Sequence, residues 1–203
     1  TAMLDNFCAF ILTHGRADNV VTFKSLAKHG YTGPIVIVID DEDNQRDKYI
    51  ANFGAENVEI FSKTEIAKTF DRCDNFDKRG AIIYARNACF EIAKKRGYKY
   101  FIELDDDYTE FAYRFDSELN YVQTDIRNLD DVWGAMLDYL KENPRVKSIA
   151  MAQGGDFIGG RDSSFGRMIP KRKAMNSFIC DVERRIVFRG TINEDVNTYT
   201  HDA

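Results

Sequence analysis

The stretch Tyr98-Lys99-Tyr100-Phe101-Ile102-Glu103-Leu104-Asp105-Asp106-Asp107 decides the fold. Its apolar run has the length of a buried strand and stops abruptly at three successive carboxylates. Just upstream, Ala81 to Arg96 reads as a helix, with Ile82, Ala85, Cys89 and Ile92 on one face and Ala88 and Ala93 beside them. Lys94, Lys95 and Arg96 fill its last turn, where the negative end of the helix favours cations, and Gly97 ends it. Helix, strand and acids therefore follow one another without a linker.

The same order recurs towards the N-terminus. Phe7 to Leu12 is a continuous apolar run ending at Thr13-His14-Gly15-Arg16. Asp18 or Asn19 is placed to cap a helix bearing Val20, Phe23, Leu26 and Ala27, closed by Gly30. After Pro34, Ile35 to Ile39 forms a second buried strand that runs into Asp40-Asp41-Glu42-Asp43. A helix from Asp47 to Phe53 ends at Gly54, and Val58 to Phe61 reads as a third strand. Repeated strand–helix order predicts an α/β fold with a Rossmann-like, mostly parallel central sheet and helices on both faces. Downstream, Val132 to Leu140 is an amphipathic helix, capped by Asp130 or Asp131. Ser148–Ala152, Ser177–Val182 and Ile186–Phe188 follow as short strands, which suits a small antiparallel C-terminal extension. No repeat, low-complexity tract or linker interrupts the chain, so a single domain is expected over residues 1–203. Its halves would meet near residue 110.

Composition limits the function. The chain has 203 residues, 44% hydrophobic, with a formal net charge of −5, which excludes a globally basic nucleic-acid binder. No apolar run approaches the ~20 residues of a membrane span and no basic-then-apolar leader opens the sequence, so a cytoplasmic location is expected. Cys8, Cys73, Cys89 and Cys180 form no CxxC pair and no zinc-like spacing, and are read as reduced core thiols. Charge is segregated. Between Glu103 and Asp131 ten acids face two arginines, and between Arg161 and Arg189 eight bases face three acids. Solvated loops are the commoner fate of such runs. The acids, however, directly follow a buried strand, where open α/β sheets place ligands.

Four constellations carry chemistry. Along the extended end of a strand, Asp105 and Asp107 can point one way and Asp106 another, so a divalent cation such as Mn2+ or Mg2+ could relieve the repulsion between the first two and bridge them to a diphosphate. Helix capping by one aspartate does not require three. Asp40 or Asp41 could accept from a base N–H or a ribose hydroxyl; capping of the Asp47 helix is equally compatible. Arg86 and Asn87, on the polar side of the Ala81 helix, could meet phosphate, although alone they would read as a surface pair. Glu194-Asp195 could supply a general base or hold an acceptor hydroxyl, and His201 could ligate a metal or lie in a frayed terminus. Gly154-Gly155 and Gly159-Gly160 suggest a flexible loop. With neither GxGxxG nor GxxxxGK[ST] present, dinucleotide-dependent dehydrogenases and P-loop NTPases drop out.

Taken in order, the Thr13–Arg16 strand end, Asp40-Asp41, Arg86-Asn87, Asp105-Asp106-Asp107, Glu194-Asp195 and His201 resemble GT-A glycosyltransferases over roughly the whole chain. His14-Gly15-Arg16, Tyr84-Ala85-Arg86-Asn87, Leu104-Asp105-Asp106-Asp107-Tyr108 and Gly190 to Asn197 look like the TET-associated glycosyltransferases, which include phage-type and base J enzymes proposed to glycosylate hydroxymethylated pyrimidines in DNA. The resemblance implies that Thr13 and Arg16 line the nucleotide pocket and that Asp40 or Asp41 contacts the base or ribose. It implies that Arg86, Asn87, Asp105 and Asp106 contact the nucleotide-sugar, and that Asp107, Asp105 and His201 hold the metal. Glu194 and Asp195 match the acidic pair near the acceptor. A UDP-sugar donor, UDP-glucose foremost, is the expectation, with modified DNA met by the Arg161–Arg189 stretch, where Phe165 and Phe178 suit an everted base. A saccharide acceptor fits the acidic total charge. A sugar-phosphate nucleotidyltransferase would want a glycine-rich Arg loop after the first strand, and a non-catalytic nucleotide- or DNA-binding module would leave the aspartates without a role.

Overall fold

The computed structural model describes residues 4–71, 82–152 and 177–189. Six strands form the main sheet: β1 (Phe7–Leu12), β2 (Ile35–Asp40), β3 (Val58–Phe61), β4 (Tyr100–Asp105), β7 (Ser148–Ile149) and β8 (Ser177–Asp181), in the order β3-β2-β1-β4-β8-β7. The first four run parallel, while β8 pairs antiparallel with β4 and β7 antiparallel with β8. The mixed, mostly parallel Rossmann-like sheet with an antiparallel C-terminal edge is thus present as expected. A separate hairpin, β5 (Ala112–Phe115) with β6 (Tyr121–Asp125), was not foreseen.

Every residue of β1 is buried, because both faces of the sheet are covered. Alternation divides the strand between two cores. Phe7, Ala9 and Ile11 pack with Leu26 of α1 (Val21–Lys28), Tyr49 of α2 (Arg46–Phe53), and Trp133 and Leu137 of α5 (Leu129–Glu142). Cys8, Phe10 and Leu12 pack with Ile66 of α3 (Lys63–Ala67) and with Tyr84, Cys89 and Phe90 of α4 (Ile83–Arg96). Cys8, Cys89 and Cys180 are buried free thiols, pushed up in pKa by that burial. Cys73 lies outside the described residues. None of the described helices is long and apolar enough to cross a membrane.

Several local expectations are corrected. Helix α1 starts after Val20 with no side-chain cap, since Asp18 instead pairs with Lys48 and accepts from Asn52 Nδ2. Gly30 does close α1: it takes φ +86°, and a Cβ there would strike the carbonyl oxygen of Arg127. Asn128 occupies the N-cap position of α5, because Asp130 accepts instead from the backbone N–H and hydroxyl of Thr32. Ile186–Phe188 is not a strand. Its Phe188 backbone bonds to a side chain, Asn87, whose Oδ1 accepts from Phe188 N at 2.9 Å and whose Nδ2 donates to Phe188 O at 3.0 Å. This segment lies over the first turns of α4, so Arg86 and Asn87 occupy no polar face. Both are buried, at 2% and 1% exposure.

Candidate active site

The chain runs outward from β1 to β2 and β3, then crosses back to β4 on the other side of β1. Such a reversal leaves a crevice beyond the carboxyl ends of the strands. Leu12 is in register with Asp105 and with Val38, so Thr13, Asp40 and the three aspartates after Leu104 reach the same edge. They border a cleft of about 320 Å³ together with Arg16 and Arg86.

The three aspartates have different roles. Asp106 is buried and turns back to β1, accepting from Thr13 Oγ1 at 2.7 Å and from Arg16 Nη1 at 2.8 Å. Tyr49 completes this knot: its hydroxyl accepts from Arg16 N at 2.9 Å and hydrogen-bonds Thr13 Oγ1 at 3.0 Å. Thr22 fastens the next turn, donating to Asp105 O at 2.6 Å and accepting from Tyr108 N at 2.9 Å. Tyr49→Phe leaves the N–H of Arg16 without this acceptor, and a loss of about 1–2 kcal/mol is expected, read as a lower urea midpoint with unchanged slope.

Asp105 faces Arg86, with Oδ1 3.4 Å from Nη2. The guanidinium also lies 3.8 Å from Glu103 Oε2 and is flanked by the rings of Phe178 and Phe188, 5.1 Å and 5.9 Å from their centroids. Glu103, one pleat before Asp105, is fully buried. Burial pushes its carboxyl up to about 8, against the pull of Arg86. Asp107 is exposed and accepts no hydrogen bond among the described residues. It borders both the cleft and a second cavity of about 390 Å³, whose walls include Tyr108, Phe111, Arg114, Met151 and Ser177.

On the β2 side, Asp40 accepts from His14 Nδ1 at 2.6 Å and from Glu42 N at 3.0 Å, and lies 3.3 Å from the ammonium of Lys63. Burial works against its ionisation, but the His14 hydrogen bond and the Lys63 charge outweigh this and hold its pKa below the ordinary value. These acids fold their own loop and cap nothing in α2: Asp43 accepts from Gly15 N and Gln45 N, and Asp41 from Lys63 N.

Of the sequence candidates, Thr13, Arg16, Asp40, Arg86, Asp105, Asp106 and Asp107 meet at the cleft. Asp41 is exposed beside it, and Asn87 lies behind Arg86, holding Phe188. Glu194, Asp195 and His201 lie outside the described residues, as does most of the Arg161–Arg189 stretch. In its described part, Arg184 donates to the carbonyls of Leu140, Asn143 and Val146, and Arg185 pairs with Glu91. Sequence reasoning missed Tyr49, Thr22, Glu103 and Lys63. Only Glu103 gave a signal, as a carboxyl set inside the apolar run of a buried strand.

Among the described residues no three His, Cys, Asp or Glu side chains converge into a metal cage. Asp107 and Asp105 do offer hard oxygen donors of the type that Mg2+ and Mn2+ accept, and those ions complete their shell with water and phosphate oxygens. The chemistry of the pair fits such an ion.

An acid-lined crevice at the switch point of a Rossmann-like sheet, without a glycine-rich phosphate loop, suits a glycosyltransferase that takes a nucleotide-sugar donor and an acceptor. The chain matches the TET-associated glycosyltransferases over residues 7–202, nearly its whole length, and belongs to that family. No curated protein matches it.

Proposed function

We propose that the protein transfers glucose from UDP-glucose to a hydroxyl group, that of a hydroxymethylated pyrimidine in DNA, with Mn2+ or Mg2+ held by Asp107 and Asp105. One observation carries this reading: Thr13, Arg16, Arg86 and Asp105–Asp107, from three separate segments, border one cleft that meets a second cavity at Asp107. When bound, the divalent ion neutralises charge on the departing diphosphate. Arg86 contributes to the same end from the protein side. Its guanidinium is buried between two carboxyl groups and two rings, so it is already oriented and acts in a low-dielectric setting. Asp106 keeps Arg16 and Thr13 at the cleft mouth.

The second cavity supplies the acceptor side, where the aromatic walls of Tyr108 and Phe111 suit a flat base and Arg114 suits an anionic backbone. Glu194 or Asp195 takes the proton of the acceptor hydroxyl if the reaction inverts the anomeric centre, and His201 completes the metal site. The DNA acceptor is supported by the family and by the basic stretch of the sequence. Since Arg184 and Arg185 are engaged within the fold, contact with the backbone falls to the other bases of that stretch. Incubation with Mn2+ and a panel of nucleotide-sugars is expected to show slow hydrolysis of UDP-glucose, accelerated by hydroxymethylated DNA in a salt-sensitive manner. Turnover of a sugar phosphate with a nucleoside triphosphate would instead make it a nucleotidyltransferase. Acceleration by free saccharides and not by DNA would move the acceptor.

A further inference from the structure

The two ends of the cleft differ in chemistry. The β4 end presents Arg86 and the aspartates, whereas the β2 end combines an apolar wall of Phe61, Ile82 and Tyr84 with His14, Asp40 and Lys63. Lys63 is held there unusually deep for a lysine, its side chain 4% exposed and its ammonium 5.6 Å from the centre of the Tyr84 ring. Its ion pairs, 3.3 Å to Asp40 Oδ1 and 3.6 Å to Glu42 Oε2, are long, and an ammonium has three N–H donors. His14 gives Nδ1–H to the Asp40 carboxylate, which can only accept, and in the tautomer protonated at Nδ1 alone its Nε2 is an acceptor. Both side chains rest on the same carboxylate and are therefore neighbours.

Charge decides which part of a nucleotide this end can take. Asp40 and Glu42 pair with the ammonium of Lys63, and Asp43 lies 3.8 Å from His14. Three carboxylates against one cation repel a diphosphate. A neutral ring with flat apolar faces and a polar edge meets no such penalty.

We propose that Lys63 and His14, anchored by Asp40, read the base in this cleft and select a keto pyrimidine over an amino pyrimidine. Uracil offers an accepting C4 carbonyl next to a donating N3–H, which matches a donor ammonium beside an acceptor Nε2. Cytosine reverses both, with a donating C4 amine and an accepting N3. Asp40 is then a positioning residue, a revision of its expected direct contact with the nucleotide. The inference rests on the cleft being the nucleotide site.

Calorimetric titration of the whole chain with UDP and with CDP, each in Mn2+, tests both. UDP should bind at least about tenfold more tightly, the worth of one mismatched hydrogen-bonding edge. Lys63→Met should weaken UDP about tenfold and leave CDP nearly unchanged, while Lys63→Arg, which keeps a cation beside Asp40 and Glu42, should retain the preference. If Lys63→Met fails to fold in a thermal scan, the wild-type UDP/CDP ratio and the Lys63→Arg variant decide the matter. Equal wild-type affinities overturn the base-reading assignment and leave the nucleotide site standing. Equal losses of UDP and CDP in Lys63→Met also overturn it, by making Lys63 a phosphate ligand. Binding of neither diphosphate overturns the nucleotide site itself.

Discussion

Arg86→Met should abolish transfer and remove about 3 kcal/mol of folding stability, and only the second loss should be recoverable elsewhere in the chain. Arg86 is 2% exposed and Glu103 fully buried, so removing the guanidinium strands a carboxyl that water cannot reach. Breaking a buried pair in this way typically costs about 3–5 kcal/mol. The lower end is expected, because burial already pushes the Glu103 carboxyl up to about 8 and it can hold a proton instead. The double variant Arg86→Met, Glu103→Gln replaces the pair by groups of similar size without a charge and should regain most of the urea midpoint. Turnover of UDP-glucose should stay lost, since the guanidinium that faces the diphosphate is gone. A double variant that recovers activity with stability would remove Arg86 from the donor site and leave it a structural residue.

Glu103 also gives a pH dependence of known sign. In the unfolded chain its carboxyl ionises near the ordinary 4.5, and in the folded chain near 8. Between those values the folded protein holds a proton that the unfolded chain has released, so this group lowers stability progressively as pH rises through that window. Glu103→Gln has no such proton to hold. Its stability relative to the parent chain should therefore improve from pH 5 to pH 8, measured without added metal. A constant difference across that range would mean that Glu103 is ionised in the folded state throughout.

What the sequence revealed, and what it hid, follows from which interactions are local. Phe7–Leu12 and Ile35–Ile39 are apolar at every position because both faces are covered, and a run of that kind is legible without a structure. The β5–β6 hairpin was not legible, for its residues are mostly exposed or half-buried and no alternating apolar pattern marks it. Arg86-Asn87 read as a polar face because nothing within α4 announces that residues a hundred positions later return over it. Ile186–Phe188 read as a strand by composition, yet its partner is the amide of Asn87, which supplies a donor and an acceptor much as a neighbouring strand would. Lys63 shows the same limit at the site. A lysine two residues past a strand looks solvated, and only the fold reveals that Asp40, Glu42 and Tyr84 enclose it.

The aspartate triplet is where a substitution series should separate fold from chemistry most sharply. Asp107→Ala is expected to lower metal-dependent turnover about a thousandfold, the order of several kcal/mol that a correctly held divalent ion gives to a departing diphosphate. It should change stability by no more than about 0.5 kcal/mol, because Asp107 is exposed and accepts no hydrogen bond among the described residues. Asp106→Ala should behave in the opposite way. It removes the acceptor of Thr13 Oγ1 in a buried setting and the partner of the half-exposed Arg16, costing about 1–3 kcal/mol, so its loss of activity comes through displacement of the Thr13–Arg16 loop. Titration of UDP with and without Mn2+ distinguishes the two. Asp107→Ala should bind UDP equally weakly in both conditions, whereas Asp106→Ala should still gain affinity on addition of Mn2+. If Asp107→Ala keeps a Mn2+-dependent gain, the cation is held elsewhere, and the meeting of two cavities at Asp107 is a matter of shape alone.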